Sequence, residues 1–446
     1  MKKTLSLIFT ALFLAVCLVP GLGLILTGGA DAAANEMLPA APVIAADGVF
    51  NPDVLAETAA YVDGRFSFRL EGITAWAKLN AALFRTSTAE NVLLGRAGWL
   101  FYAPTIHDYT GDAPMTAREL YCAARTLYLL QEYTENRGGD FLFTAAPNKN
   151  TLYPEYMPER TRLGGASNID ALYALLGEMG VSYLDLRGVF GQETEPLYFK
   201  TDSHWNARGA ALAADALLAA LGRESAYYAD TVSAGAIHRG DLYEMLYPAG
   251  KSLEEDFMYA PGFSFSANTE NPDRVTITTE SGAGAGTLLC YRDSFGRNLY
   301  PFLAESFAAA EFSRRNEYTA ATLPEGGTLV IELVERNLRY LVEYDSLAAA
   351  PERKMSLVMD AVPGNGCAAL TESAGTEGYT VFSGVWDGMT PDDTSNVYIL
   401  SGGALYEAVP RPDGFIVSLP DGSTVDAVYA AAGGNFFRLS AVYAIE

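Results

Sequence analysis

The chain has 446 residues, 50% of them hydrophobic and 19% charged, which is too apolar for a disordered polymer and too long for one ordinary core, so two domains are expected. Its 30 Lys+Arg against 54 Asp+Glu give a formal charge of -24, which repels phosphate backbones and anionic membrane surfaces alike and excludes a nucleic-acid partner.

At the N-terminus, Lys2 and Lys3 precede an apolar run from Leu5 to Leu26. A run of about 22 residues is enough to span a bilayer and is longer than a usual signal-peptide core. Ala30-Asp31-Ala32 supplies an A-x-A cleavage pattern, so residues 1–35 read either as a signal peptide or as a membrane anchor. Both readings leave the two lysines inside and everything after residue 35 outside the cytoplasm. Cys17 in "LAVC" makes no lipoprotein signal, because Val16 is a poor residue before such a cysteine and the apolar run continues past it. The remaining cysteines, Cys122, Cys290 and Cys367, are too odd and sparse a set for a disulfide framework, so the exported part must be held together by its core.

Helical and strand patterns then alternate up to about residue 343. Thr116 and Glu119 have capping-box spacing, and Ala117, Leu120, Ala124 and Leu127 recur at helical intervals, which predicts a helix to about Arg137. "DFLFTAAP" (140–147) reads as a buried strand, "NIDALYALLGEMG" (168–180) as a helix closed by glycine, and "VSYLDLR" (181–187) as another strand. "NARGAALAADALLAALG" is helical, "TLLCYRDSFGRN" is a strand and a turn, and "TLVIELVERN" is a further apolar strand. This order predicts an α/β domain over residues 36–345 with a largely parallel sheet, helices on both faces and a core of its own. After Ser346 come short strands, "YTVFSGVW", "NVYIL", "FIVSL" and "FFRLSAVYAI", separated by Gly402-Gly403, Pro412-Asp413-Gly414, Pro420-Asp421-Gly422 and Gly433-Gly434. Residues 346–446 are therefore expected to form a small all-β domain of hairpins, a candidate carbohydrate-binding module.

Within this frame, "YFKTDSHWNARGA" (198–210) places one of three histidines two residues after an aspartate. Residues i and i+2 share a side only in an extended or turned segment, so Asp202 and His204 cooperate only if the helix starts later, and Asn206 is a good N-cap for that start. The Asp202 carboxylate would then fix the imidazole tautomer and leave Nε2 as a base. A nucleophile is supplied by Ser294 in "TLLCYRDSFGRNLYPF", which follows a buried strand and precedes Gly296 and a helix, the carboxyl sheet edge where α/β sites form. Backbone amides around Ser294 to Gly296 would face an oxyanion. Asn148, at a strand end in "PNKN", reads as an oxyanion donor or as a turn residue, and Arg297 as a substrate contact or a solvated first-turn arginine. Ser294 alone could serve simply as a helix cap. His107, His238, Trp99 and Trp205 read as structural residues, and the scattered histidines with no cysteine pairs give no metal-ligand spacing. No cofactor is implied.

Four blocks, "TDSHW", "RDSFGRNLYPFLAESF", "GRAGWLFY" (95–102) and "APNKNTLYPEYMP" (145–158), resemble the SGNH-hydrolase-like domains of the alginate O-acetyltransferases and the related DHHW proteins. The resemblance covers about residues 63–344, and Ser203 departs from the threonine frequent at that place. It implies a circularly permuted SGNH fold with Asp202, His204 and Ser294 as a triad. It also implies acetyl transfer to the hydroxyls of an extracytoplasmic polysaccharide, with a membrane-bound O-acyltransferase as acetyl donor. The same triad would serve a carbohydrate esterase, and a non-catalytic glycan-binding or assembly protein on a degenerate scaffold is the third class; the presence of all three residues argues against that one.

Overall fold

A computed structural model describes residues 2–29, 32, 36–46, 48–159, 164, 166–345 and 349–443. Ala30 and Asp31 of the cleavage pattern, and Ser346 at the domain boundary, lie outside the described residues.

The apolar N-terminal run forms one helix, α1 (Lys2–Thr27), whose stretch Lys3–Leu26 has a mean hydropathy of 2.5, is unburied, and is long and apolar enough to cross a membrane. Helices α2 (Val54–Arg65) and α3 (Arg69–Phe84) follow. The α/β body comprises α4 (Ala117–Asn136), β1 (Phe141–Ala146), α5 (Asn168–Met179), β2 (Tyr183–Asp185), α6 (Ala207–Ala220), the antiparallel pair β3 (Thr231–His238) and β4 (Glu254–Tyr259), β5 (Ser266–Ala267), β6 (Thr276–Glu280), β7 (Thr287–Tyr291), α7 (Gly296–Ser306), β8 (Ala309–Ser313) and β9 (Thr328–Val334).

The sheet runs in the order β2-β1-β9-β7-β8-β6-β5. Pairings from β2 through β8 are parallel, and β6 and β5 add an antiparallel edge. Alternation along each central strand feeds two cores, as expected of a sheet covered on both faces. Phe141, Phe143, Leu329, Ile331 and Leu289 pack with Leu127 and Leu130 of α4 and Leu172 of α5, while Leu142, Val330, Leu288 and Cys290 pack with Leu217 of α6 and Leu303 of α7. The capping box at Thr116 is present, and Ser167 with Asp170 forms a second one on α5.

The C-terminal strands are β10 (Val362–Ala374), β11 (Tyr379–Asp387), β12 (Val397–Ser401), β13 (Ala404–Pro410), β14 (Gly414–Pro420), β15 (Ala427–Ala432) and β16 (Asn435–Tyr443). Their order β13-β12-β15-β16-β10-β11-β14 closes on itself through Val409↔Ile416 of β13 and β14, making a barrel, which leaves none of these strands an open edge. Three of the four turns foreseen from glycine join hairpins. Pro420-Asp421-Gly422 does not: it is a crossover, since β14 pairs with β11 and β13 and β15 with β12 and β16.

The barrel has an apolar interior that includes Leu370, Phe382, Ile399 and Phe415. It is nevertheless not a free unit, because Val409 and Ile416 belong to the same buried cluster as the α4 face of the body. Polar contacts join the two parts as well. The Arg118 guanidinium of α4 donates to the carbonyls of Asp392, Asp393, Ser395 and Arg411, and Glu407, 1% exposed, is held by Arg125 and Arg353, with Arg353 also paired to Glu132. The body and the barrel each have a buried cluster of their own, and the cluster on the α4 face of the body also takes in Val409 and Ile416 of the barrel.

Candidate active site

Strand β7 ends at Tyr291, and Arg292-Asp293-Ser294 form the turn into α7. Asp293 pins that turn: its Oδ1 accepts from the Phe295 N–H at 2.8 Å, and its Oδ2 accepts from the Val334 N–H at 2.7 Å and the Asn337 amide at 3.0 Å. A Cβ on Gly296 would lie 2.6 Å from Arg292 Cβ, so the tight exit requires glycine. Ser294 thus stands at the carboxyl edge of the sheet, half-buried.

The second block arrives from the loop before α6. Segment 198–205 turns back on itself, with a bridge between Tyr198 and Trp205, and Asn206 caps α6 by accepting from the Gly209 N–H at 2.8 Å. His204 is therefore outside the helix. Trp205 is fully buried, and its indole N–H donates to the Phe295 carbonyl at 3.0 Å, while Asn298 of α7 donates to the Trp205 carbonyl at 3.1 Å. These two bonds tie the histidine block to the serine block across 90 residues of sequence.

The resulting geometry is a chain of hydrogen bonds. His204 Nε2 lies 2.9 Å from Ser294 Oγ, and His204 Nδ1 lies 2.7 Å from Asp202 Oδ1. Asp202 also accepts from the His204 backbone N–H at 2.9 Å, from His238 Nε2 at 2.9 Å and from the Asp241 N–H at 3.0 Å. Burial opposes its ionisation, but the bonds from His204 and His238 prevail and hold its carboxyl well below the usual range. An ionised Asp202 keeps the proton on His204 Nδ1 and leaves Nε2 as an acceptor for the serine hydroxyl.

Neighbouring groups support this arrangement. Ser203 donates its N–H at 2.8 Å and its hydroxyl at 2.6 Å to Asp241, whose own carboxyl is pushed up by burial and by the charge of Asp202. A Cβ on Gly240 would lie 2.2 Å from the Thr201 carbonyl oxygen, so Asp241 approaches the histidine loop only because glycine precedes it. Buried Lys149 donates to the carbonyls of Leu100, Lys200 and Asp202 at 2.6, 2.8 and 2.9 Å, and burial pulls its pKa down to about 7. Ligand-type atoms of Asp202, His204 and Asp241 lie within 4.8 Å of one another, yet the Asp202 oxygens are already occupied by N–H donors, so a cation there would have to displace them.

A cavity of about 710 Å³ opens over Ser294 and His204, with Tyr102, Asp241, Asn316 and Arg336 in its wall. The Arg336 guanidinium lies over the Tyr102 and Phe295 rings, at 5.2 and 5.6 Å, and pairs with no carboxylate among the described residues. Asn148 and Arg297 are not in that wall. Asn148 is fully buried with its amide donating to Asp108 at 3.0 Å, and Arg297 is turned outward to Asp273 at 3.4 Å. Trp99 is buried against Tyr156, and His107, in the cavity wall, bonds to Asp112. His238 is the site residue that sequence reasoning missed. It stacks on Phe199 at 3.7 Å and holds the outer oxygen of Asp202, and its only sequence trace is the Gly240-Asp241 pair just downstream.

Ser294 thus lies at the carboxyl edge of a largely parallel α/β sheet, with the Asp202–His204 block earlier in the chain. Residues 92–258 match the family model described as SGNH hydrolase-like domain, acetyltransferase AlgX, a segment that contains Asp202, His204 and His238 and ends before Ser294. The chain is 26% identical to the probable alginate O-acetylase AlgJ of Pseudomonas putida, over 55% of this chain and 62% of that protein. It is 28% identical to the probable alginate O-acetylase AlgJ of Pseudomonas aeruginosa, over 55% and 61%. The chain thus spans about six-tenths of the length of the curated relatives it matches. Among solved structures, Bacillus cereus PatB1 with a sulfonyl adduct aligns with a TM-score of 0.45 at 16% identity, covering 57% of this chain and 99% of that one. The O-acetyltransferase domain of Pseudomonas putida AlgJ aligns with a TM-score of 0.39 at 20% identity, covering 56% and 92%.

Proposed function

We propose that this protein is an extracytoplasmic, serine-dependent O-acetyltransferase that moves acetyl groups onto the hydroxyls of a polysaccharide. The observation that carries the reading is the continuous line from Ser294 Oγ to His204 Nε2 (2.9 Å) and from Nδ1 to Asp202 (2.7 Å), opening into a solvent-accessible cavity. In the first step, Ser294 Oγ attacks the acetyl carbonyl carbon while its proton passes to His204 Nε2. The leaving alcohol takes that proton as the bond to the donor breaks, which leaves acetyl-Ser294. In the second step a sugar hydroxyl gives its proton to Nε2 and bonds to the acetyl carbon, and the bond from that carbon to Ser294 Oγ breaks as Oγ takes the proton back from Nε2. Asp202 stabilises the imidazolium in both steps without becoming protonated. Arg336 lines the same cavity as Ser294 and is the cationic side chain we assign to the tetrahedral oxyanion.

The likeness to the AlgJ proteins supports acetyl rather than another acyl group, α1 supports a site outside the cytoplasm, and a membrane-bound O-acyltransferase as acetyl supplier is part of the proposal. The test is to incubate the protein with an activated acetyl ester, with and without a glycan acceptor, and to analyse Ser294 and the glycan by mass spectrometry. Acetyl on Ser294 that passes to glycan supports transfer. Acetyl that passes only to water makes the protein an esterase, and turnover unchanged in Ser294→Ala overturns the reading.

A further inference from the structure

Helix α3 has two apolar faces. One is consumed by the fold: Thr74 accepts from the Ala249 N–H at 2.9 Å, and Ala77 is fully buried beside Leu242 and Leu246 of the short helix Asp241–Leu246. The other is exposed. Ile73, Trp76, Leu79 and Leu83 recur at three- and four-residue spacing, Phe84 follows directly, and the five keep between 37% and 66% of their surface in solvent. Lys78, Arg85 and Glu71 lie between the two faces. A contiguous apolar stripe of this kind on an exported protein marks a contact.

The position of α1 says what that contact is. The corner between α2 and α3 packs on the last third of α1: the Ser67 N–H donates to the Pro20 carbonyl at 3.2 Å, and a Cβ on Gly23 would lie 2.4 Å from Ser67 Oγ. Pro20 is six residues before Leu26, the end of the apolar span, or about 9 Å along the helix axis. With α1 retained as the membrane anchor, which this inference takes as its premise, the start of α3 is held within the depth at which amphipathic helices lie in a bilayer interface, about 5–10 Å. Trp76 in the middle of the stripe has the amphipathic ring favoured at that level.

We propose that α3 lies in the membrane interface beside the point where α1 emerges, with Ile73, Trp76, Leu79, Leu83 and Phe84 among the lipid chains, so that the membrane itself seats the domain. With a formal charge of -24, apolar insertion and not attraction to anionic lipid drives the contact. The full chain in protein-free phosphatidylcholine vesicles provides the test, because the tryptophans differ in environment: Trp99 and Trp205 are buried and Trp386 belongs to the barrel. Lipid brominated in its acyl chains should quench about a quarter of the emission, the share of one tryptophan in four, and that quenching should vanish in Trp76→Phe. Unquenched emission, or quenching that persists unchanged in Trp76→Phe, overturns the proposal. So does efficient cross-linking of Leu79→Cys between copies in unquenched vesicles, which would give the face to a second molecule of this chain.

Discussion

At the carboxyl edge of the α/β sheet, Asp202, Asp293, Glu332 and Glu335 are each no more than 9% exposed, whereas the barrel interior is lined by Leu370, Phe382, Ile399 and Phe415. The barrel's buried carboxylate, Glu407, faces the body and is neutralised by Arg125 and Arg353. Among the sheet-edge acids, Asp202 is matched by His204 and His238, but Glu332 and Glu335 pair with no cation among the described residues. Burial and the charge of Asp293 push Glu332 well above the usual carboxyl range, and burial pushes Glu335 up to about 7. Charge placed to join the two parts is paired, while Glu332 and Glu335 at the sheet edge are buried at a cost to their ionised form.

Mutation separates the two kinds of charge. The largest effect belongs to the triad: Ser294→Ala, His204→Ala and Asp202→Ala should each lower acetyl-ester turnover by about 10³–10⁶-fold, while Ser294→Ala keeps its thermal midpoint. Combining them should add little, because they act as one unit. Next comes Glu407→Ala, expected to cost about 3–5 kcal/mol in urea unfolding by stranding its arginines, with turnover per folded molecule unchanged. A Glu407→Ala protein of wild-type stability would erase the contrast.

Glu335 gives a pH signature. Its folded value near 7 lies above the ordinary 4.5, so the folded state keeps a proton that the unfolded state has lost. Stability from this group is therefore present below pH 4.5 and declines as pH rises toward 7, by roughly 3 kcal/mol, and Glu335→Gln should flatten that slope in unfolding titrations. The smallest effect is expected at His238, a positioning residue that acts through Asp202. His238→Gln should lower kcat by about tenfold with little change in KM, and should shift the NMR signal of the His204 Nδ1 proton. An unmoved proton signal would leave His238 a purely structural residue.

Local pattern accounts for what the sequence made legible. The helix at 117–136 announced itself by its capping box and apolar period, β1 and β9 by unbroken apolar runs, and the triad by a histidine at i+2 with a serine between strand and glycine. What stayed hidden depends on contacts distant in sequence. His238 reaches Asp202 across 36 residues, Lys149 reaches the Asp202 carbonyl across 53, and Arg336 meets Ser294 and His204 only once the cavity is assembled. Barrel closure was equally invisible, because Pro420-Asp421-Gly422 looks like any hairpin turn until pairing shows that it crosses over. The shared core likewise depends on Val409 and Ile416, which read as ordinary inward strand residues.

Arg118 grips the barrel entirely through main-chain carbonyls, those of Asp392, Asp393, Ser395 and Arg411. Every amino acid carries such a carbonyl, so this grip is blind to side-chain identity at those four positions. Those four loop positions can therefore drift in sequence while the hold of Arg118 on them persists. Substitution of Arg118 itself has no such latitude, since one side chain there answers for four loop positions at once.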